Sequence, residues 1–350
     1  MKHIYAIPAA LAAAVSAASC MSYTYMTTSI HPDLSADRTV YTQADSSYLT
    51  GETDANQFFF KPDSTWETGL LAEPFRKDFH EEICIMNIYA SRRLGSLAEG
   101  KLTPAEPEFE GCPVLAPEET AQKHFRWFST VYEYKAVYRR IGGLPVDLGE
   151  FMDRETQEFF LRGGTMPGDW NGLELYSALE EMNSDFMEWY VTSTFKVSHD
   201  IIQEMCGVRQ RGLLEELSGK ILEEYIKEEE DVTVESLCRK LDIASGTSTF
   251  MDVYSGNKAA ADSLYREQSR VTEYFACSLI SEIEMPGKLC RSNATAFNGG
   301  NPQWKIDCYR LLYDDITVTA VSREANIWAY ILTGIVLSAG IFLLISRKQG

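Results

Sequence analysis

The chain has 350 residues, with 51 acidic side chains against 32 basic ones and a formal charge of −19. Between the terminal segments 29 basic residues face all 51 acidic ones, a charge of −22, which excludes attachment to nucleic acid or anionic headgroups through a polybasic surface. With 12% aromatic residues the middle of the chain, roughly 300 residues, is a folded polypeptide with one or two cores, not a disordered stalk.

MKHIYAIPAALAAAVSAAS carries one early cation, Lys2, then an uncharged apolar run from Ile4 to Val15, then the small residues Ala17, Ala18 and Ser19. The run is too short to span a bilayer, and small residues suit a signal peptidase, so 1–19 is predicted to be a secretory signal outside the fold. Ala17-Ala18-Ser19-Cys20 resembles the bacterial lipobox, with Ala17 where leucine usually stands. Cys20 is therefore the predicted lipid-attachment residue; the alternative is an ordinary signal that leaves a free Cys20.

Residues 20–143 read as β-rich. SYTYMTTSI and ADRTVYTQA, separated by the turn signal HPDLS, predict an antiparallel hairpin. Residues 46–78 are polar and mixed and are expected to be loop. HEEICIMNIYA suits a strand, and FRWFSTVYEYKAVY, Phe125 to Tyr138, reads as one long central strand, with a buried helix as the other option.

From 144 to 270 the period becomes helical, as an insertion. Asp147 with Glu150 is a start signal, Asn171 with Glu174 a second, and LLEELSGKILEEYIKEEE and TVESLCRKLDI supply further helices. Between the first two lies GGTMPGDWNG. Its Gly163, Gly164, Pro167, Gly168 and Trp170 are a candidate ligand or partner loop, or else a connecting turn whose tryptophan packs on the helices.

Residues 271–325 return to β character, alternating at Phe275, Cys277, Leu279 and Ile283 and again in DITVTAVSR, and are expected to pair with the early hairpin. Cys290 and Cys308 lie equidistant from Gly299 in FNGGNP. They face each other as a possible disulfide if a hairpin is centred there; otherwise both are buried thiols. Seven cysteines besides Cys20 leave at least one unpaired. Residues 326–346 form the predicted transmembrane helix: Ile327 to Ile345 has no charge over 19 residues, Trp328 and Tyr330 mark an interface, and Arg347 and Lys348 place the tail 347–350 in the cytoplasm.

The remaining motifs do not assemble into catalytic chemistry. HEEIC at His80 lacks the second histidine of a zinc protease, and His31, His124 and His199 share no helix face. Tyr254, Ser255 and Lys258 mimic reductase and penicillin-recognising spacings without their companion motifs. No catalytic residue, metal or cofactor is predicted.

Met285-Pro286-Gly287-Lys288, Asn293, Trp304 with Lys305, and Ile316 to Ala320 ahead of a final membrane helix resemble the closing part of bacterial lipoproteins of the LppM type. That resemblance implies a lipobox, a β-rich extracytoplasmic module and a carboxyl-terminal anchor, in a protein that handles lipid or partner proteins. The expected fold class is α+β: an antiparallel β module built from both ends of the chain, with a helical insertion and one transmembrane helix. The expected function is a non-enzymatic envelope lipoprotein, anchored at both ends in the bacterial inner membrane with its main domain outside; the alternative is an envelope hydrolase or transferase. Its partners are the membrane and an envelope protein or lipid, with no nucleic acid.

Overall fold

A computed structural model describes residues 22–79, 82–142 and 144–348; Cys20, the signal and His80 lie outside them. The chain begins with the predicted hairpin, β1 (Ser22–Ile30) and β2 (Ala36–Thr42), with Tyr25 opposite Tyr41 and Ile30 opposite Ala36. Its turn is closed by Asp33, whose carboxylate accepts from Ser35 N at 3.0 Å. A one-turn helix α1 (Ser46–Leu49) precedes β3 (Glu67–Asp78) and β4 (Ile83–Leu94). The expectation of loop throughout 46–78 is thus corrected. β3 is an exposed edge strand with a register shift between Leu70 and Phe75, and an edge strand facing water carries the polar residues that read as loop.

β5 (Glu118–Arg126) and β6 (Ser129–Tyr138) follow. The predicted single strand from Phe125 is in fact a hairpin that turns at Trp127-Phe128, with Arg126 opposite Ser129. Asp147 caps only a 3-10 turn, Leu148–Glu150, by accepting from Gly149 N; the first insertion helix, α2 (Arg154–Arg162), starts instead at Asp153, which accepts from Thr156 N. Then come α3 (Gly172–Met205), α4 (Val208–Glu228), α5 (Val234–Ser245), α6 (Thr249–Gln268) and the short α7 (Arg270–Tyr274). The chain closes with β7 (Cys277–Glu284), β8 (Lys288–Ser292), β9 (Ala296–Asn298), β10 (Asn301–Asp307), α8 (Cys308–Tyr313), β11 (Ile316–Ala325) and α9 (Ile327–Lys348).

The class is α+β. A seven-stranded sheet runs β3-β4-β2-β1-β7-β10-β9 and a four-stranded sheet β5-β6-β11-β8. The returning segment does join the early hairpin, but β7 lies parallel to β1, from Ser22 beside Cys277 to Ser29 beside Glu284. A parallel neighbour needs a long crossover, which the intervening chain supplies. The sheets face each other across one core, with Val40, Ile88 and Ala90 from the large sheet and Tyr134, Ala136, Val318 and Ala320 from the small one. α3 serves two cores: Met182, Phe186 and Trp189 pack on the sandwich, while Val191, Phe195 and Ile201 form a separate core with α4, α5 and α6.

Across the sandwich runs a buried ion pair. Arg38 on β2 is bidentate to Glu119 on β5, at 2.7 and 2.9 Å, and the two side chains are only 1% and 2% exposed. Arg38 Nη1 donates to Gly100 O at 2.6 Å and Nε to Thr28 Oγ1 at 3.1 Å, and Tyr134 donates to Glu119 at 2.8 Å. Each of the three guanidinium nitrogens therefore donates to an acceptor, and the charge is paired, the condition under which a buried charge is tolerable. A second carboxylate, Glu282 on β7, receives Tyr25 OH at 2.5 Å, Asn298 and Asn301 at 3.1 Å, and Gln303. Burial works to raise its pKa, but these donors together hold it below the usual carboxylate range.

The strands define two ends of the sandwich. At one end Lys123, near the β5–β6 turn, donates to Pro32 O in the β1–β2 turn at 3.0 Å, and Ser322 near the end of β11 donates to Pro286 O in the β7–β8 turn at 2.6 Å. Gly287 there has φ 74°, and a Cβ would lie 2.5 Å from Arg323 O, so glycine is required. At the other end Ser22 N donates to Ala276 O, Ile141 N to Leu311 O, and Trp189 Nε1 to Val146 O. The first strand's start and the helical insertion therefore share the end opposite α9.

Removing one partner of the buried pair, in Arg38→Met or Glu119→Gln, is expected to cost about 3–5 kcal/mol in urea denaturation, and the double variant Arg38→Met/Glu119→Leu to recover most of it. Because the carboxyl of folded Glu282 is lowered, its contribution is complete above the unfolded value of about 4.3 and is lost as pH falls through the folded value. Glu282→Gln should therefore be less stable than the native chain at neutral pH, with the difference shrinking below about pH 4 in acid-unfolding curves.

Candidate membrane-facing site

Ile327–Ile345 of α9 has a mean hydropathy of 2.2 and is 6% buried, so it is long and apolar enough to cross a membrane and presents that surface outward. Among the described residues it alone has these properties. The helix is joined to β11 through Asn326, and this residue determines how it leaves the sandwich. Asn326 N donates to Phe128 O at 3.1 Å, and its Nδ2 donates to Arg126 O at 2.7 Å and Trp127 O at 3.3 Å. Its Oδ1 accepts from Thr130 Oγ1 at 3.0 Å. Three successive carbonyls of the β5–β6 turn are thus satisfied by one residue.

The side chains of that turn lie along the first turns of α9. Phe125 stacks on Trp328 with ring centroids 6.1 Å apart and planes 8° from parallel, Trp127 meets Trp328 edge-on at 5.4 Å, and Phe128 meets Tyr330 at 4.7 Å. Trp127 Nε1 donates to Thr333 Oγ1 at 2.8 Å. Even so, Phe125, Trp127 and Phe128 remain 60%, 48% and 41% exposed. Nothing local in the sequence marked them, because a turn without Gly or Pro reads as continuous strand; the surviving signal is the aromatic cluster FRWF itself.

The other candidate residues fall elsewhere. Gly163 is the left-handed C-cap of α2, Gly164 N donates back to Glu158 O, and Trp170 packs edge-on against Phe159 at 6.1 Å. Pro167 and Gly168 are half-buried beside it, so the loop is a connection folded onto α2. The Cys290–Cys308 pairing is not formed. The FNGGNP hairpin exists, but it pairs only Ala296–Asn298 with Asn301–Gln303. Cys290 is exposed on β8 in the small sheet, and Cys308 is buried at the start of α8. Cys308 Sγ instead lies 3.9 Å from Cys112 Sγ, and burial pushes the Cys308 thiol well above its usual pKa. All seven described cysteines are free thiols.

Tyr254 and Lys258 are tied up on α6. Tyr254 donates to Asp262 at 2.9 Å, Lys258 pairs with Glu235 at 3.4 Å, and the tyrosine is pushed up to about 12 by burial and Asp262, the wrong direction for a general base. His31, His124 and His199 each meet a different carboxylate, Asp37, Glu133 and Asp200, and no group of metal-ligating side chains converges among the described residues. A shallow groove of about 320 Å³ crosses the outer face of the small sheet, lined by Gln122, Glu133, Lys135, Arg291 and Thr319. Its walls hold neither histidine nor cysteine.

Comparison with known proteins finds no matching family, no matching curated protein and no matching solved structure.

Replacing Asn326 by Ala removes three side-chain hydrogen bonds from a part-buried junction and should loosen the turn by about 1–3 kcal/mol. Amides 126–130 should then exchange hydrogen roughly 10-fold faster or more by mass spectrometry, with the insertion helices unchanged.

Proposed function

We propose that this chain is a non-enzymatic, membrane-anchored envelope protein that stands its β-sandwich on a bilayer and presents the helical insertion to a partner protein. One observation carries the reading: the exposed apolar helix α9 docks at one end of the sandwich, and the insertion occupies the other. The signal-like start and the cations Arg347 and Lys348 support an orientation with the sandwich outside and the tail in the cytoplasm, as in a bacterial inner membrane. The glutamates of α4 and its end, Glu215, Glu216, Glu223, Glu224 and Glu228 to Asp231, fit a position away from anionic headgroups.

A second reading is favoured by the lipobox-like Ala17-Ala18-Ser19-Cys20, in which an acyl group on Cys20 is a further anchor. It demands a different pose. Ser22 lies one nine-residue strand, roughly 25 Å at ~3.3 Å per residue, from the turn beside Lys123, and Cys20 precedes it by only two residues. One bilayer receives both anchors only if the sandwich lies along its surface; the docking on α9 supports the upright pose with α9 as the principal anchor.

Truncation before Ile327 should release the domain into the aqueous fraction of cells, while Cys20→Ala should leave the full chain resistant to carbonate extraction. Retention of the truncated chain on membranes, with fatty-acid label that Cys20→Ala abolishes, would establish the second reading. Photocrosslinkers at the exposed insertion residues Val208 and Ile243 should capture a protein, whereas sustained turnover of a lipid or peptidoglycan substrate would reject the non-enzymatic reading.

A further inference from the structure

The β5–β6 tip has a composition and a hydrogen-bonding pattern at odds with a surface turn in water. Its four residues, Phe125-Arg126-Trp127-Phe128, expose three large aromatic rings from an otherwise acidic protein. Scattered exposed aromatics need no explanation, but these are contiguous with one another and with Trp328 and Tyr330 on α9.

Depth follows from the helix. Thr333 lies six residues beyond Ile327, about 9 Å along a helix that rises ~1.5 Å per residue. The Trp127 indole donates to Thr333, so while the carbonyls of the tip stay level with Asn326 at the start of the apolar stretch, the Trp127 side chain reaches down beside it. In a poorly hydrated layer the indole N–H needs an acceptor, and the Thr333 hydroxyl oxygen supplies it.

The backbone is prepared in the same way. Irregular chain is excluded from lipid because its carbonyls go unpaired, yet Arg126 O, Trp127 O and Phe128 O are all taken by Asn326. Above the rings, Lys123 and His124 mark the return to charged surface, and Arg126 has the reach to extend from the tip to phosphate oxygens. Aromatic rings followed by cations is the order of a membrane–water interface.

We propose that Phe125-Arg126-Trp127-Phe128 inserts into the interfacial layer of the bilayer that α9 crosses, packing against phospholipid on one side and α9 on the other, and so fixes the attitude of the sandwich. The proposal rests on the reading that α9 spans that bilayer. Its partner is lipid at the depth of the glycerol backbone and upper acyl chain, reached without a second spanning segment.

The full chain is reconstituted into phosphatidylcholine vesicles carrying bromine either high or deep on the acyl chains, and tryptophan quenching is measured. Trp127→Phe and Trp328→Phe should each remove a comparable share of the quenching, with the high bromines more effective, and Phe128→Trp should add a quenched emitter to the native signal. Circular dichroism and thermal melting of each variant check the fold. If Trp328→Phe lowers the quenching but Trp127→Phe does not, and the tryptophan of the Phe128→Trp variant is unquenched, the tip is outside the lipid and the proposal falls while the spanning helix stands. If neither tryptophan contributes, α9 itself is outside the bilayer and both readings fall together.

Discussion

The Arg38–Glu119 pair is the constraint around which the sandwich is organised. It ties the second strand of the large sheet to the first strand of the small one through the buried interior, where apolar contacts have no direction of their own. A guanidinium offers donors in a fixed plane, and here that plane is read on three sides, by the Glu119 carboxylate, Gly100 O and Thr28 Oγ1. Moving either sheet by one residue would strand a charge in the interior. The pair therefore contributes to alignment more than to net stability, since its desolvation cost offsets much of its Coulomb gain.

That alignment propagates to the end of the sandwich where α9 leaves it. Glu119 and the β5–β6 turn belong to one strand, so fixing the strand fixes where the turn emerges, and β11 must run beside β6 for Asn326 to meet the turn's carbonyls. Two polar problems, a buried cation in the core and an irregular turn beside an apolar helix, are met in the same way, with partners distant in sequence: Glu119 and Gly100 O for Arg38, and Asn326 for the carbonyls of the turn. Hydrogen bonds from Asn326 and Trp127, together with the ring contacts to Trp328 and Tyr330, join the sandwich to α9.

Much of this was open to reading from the chain alone, and the failures share a cause. The β1–β2 hairpin was legible because HPDLS is a local turn signal flanked by β-branched and aromatic runs, and α9 because nineteen uncharged residues admit few other interpretations. β3 was missed because an edge strand shows water its polar face, and the turn at Trp127-Phe128 because what stabilises it is Asn326, 200 residues beyond Arg126. The Cys290–Cys308 idea failed for a related reason: sequence symmetry about Gly299 says nothing about the strand leaving for another sheet. Trp328 and Tyr330 were legible as the aromatic start of the apolar helix; their partners on the hairpin were not.

The parallel pairing of β1 with β7 has a consequence for how the protein is made. The two strands lie about 250 residues apart, and Tyr25 donates to Glu282 across 257 positions, so the earliest strand to be synthesised has no neighbour on one side until most of the chain has followed. Closing so long a loop is entropically unfavourable and intrinsically slow. The β1–β2 hairpin must wait with an open edge, and the large sheet is completed only when β7 and β10, from the last quarter of the chain, take their places.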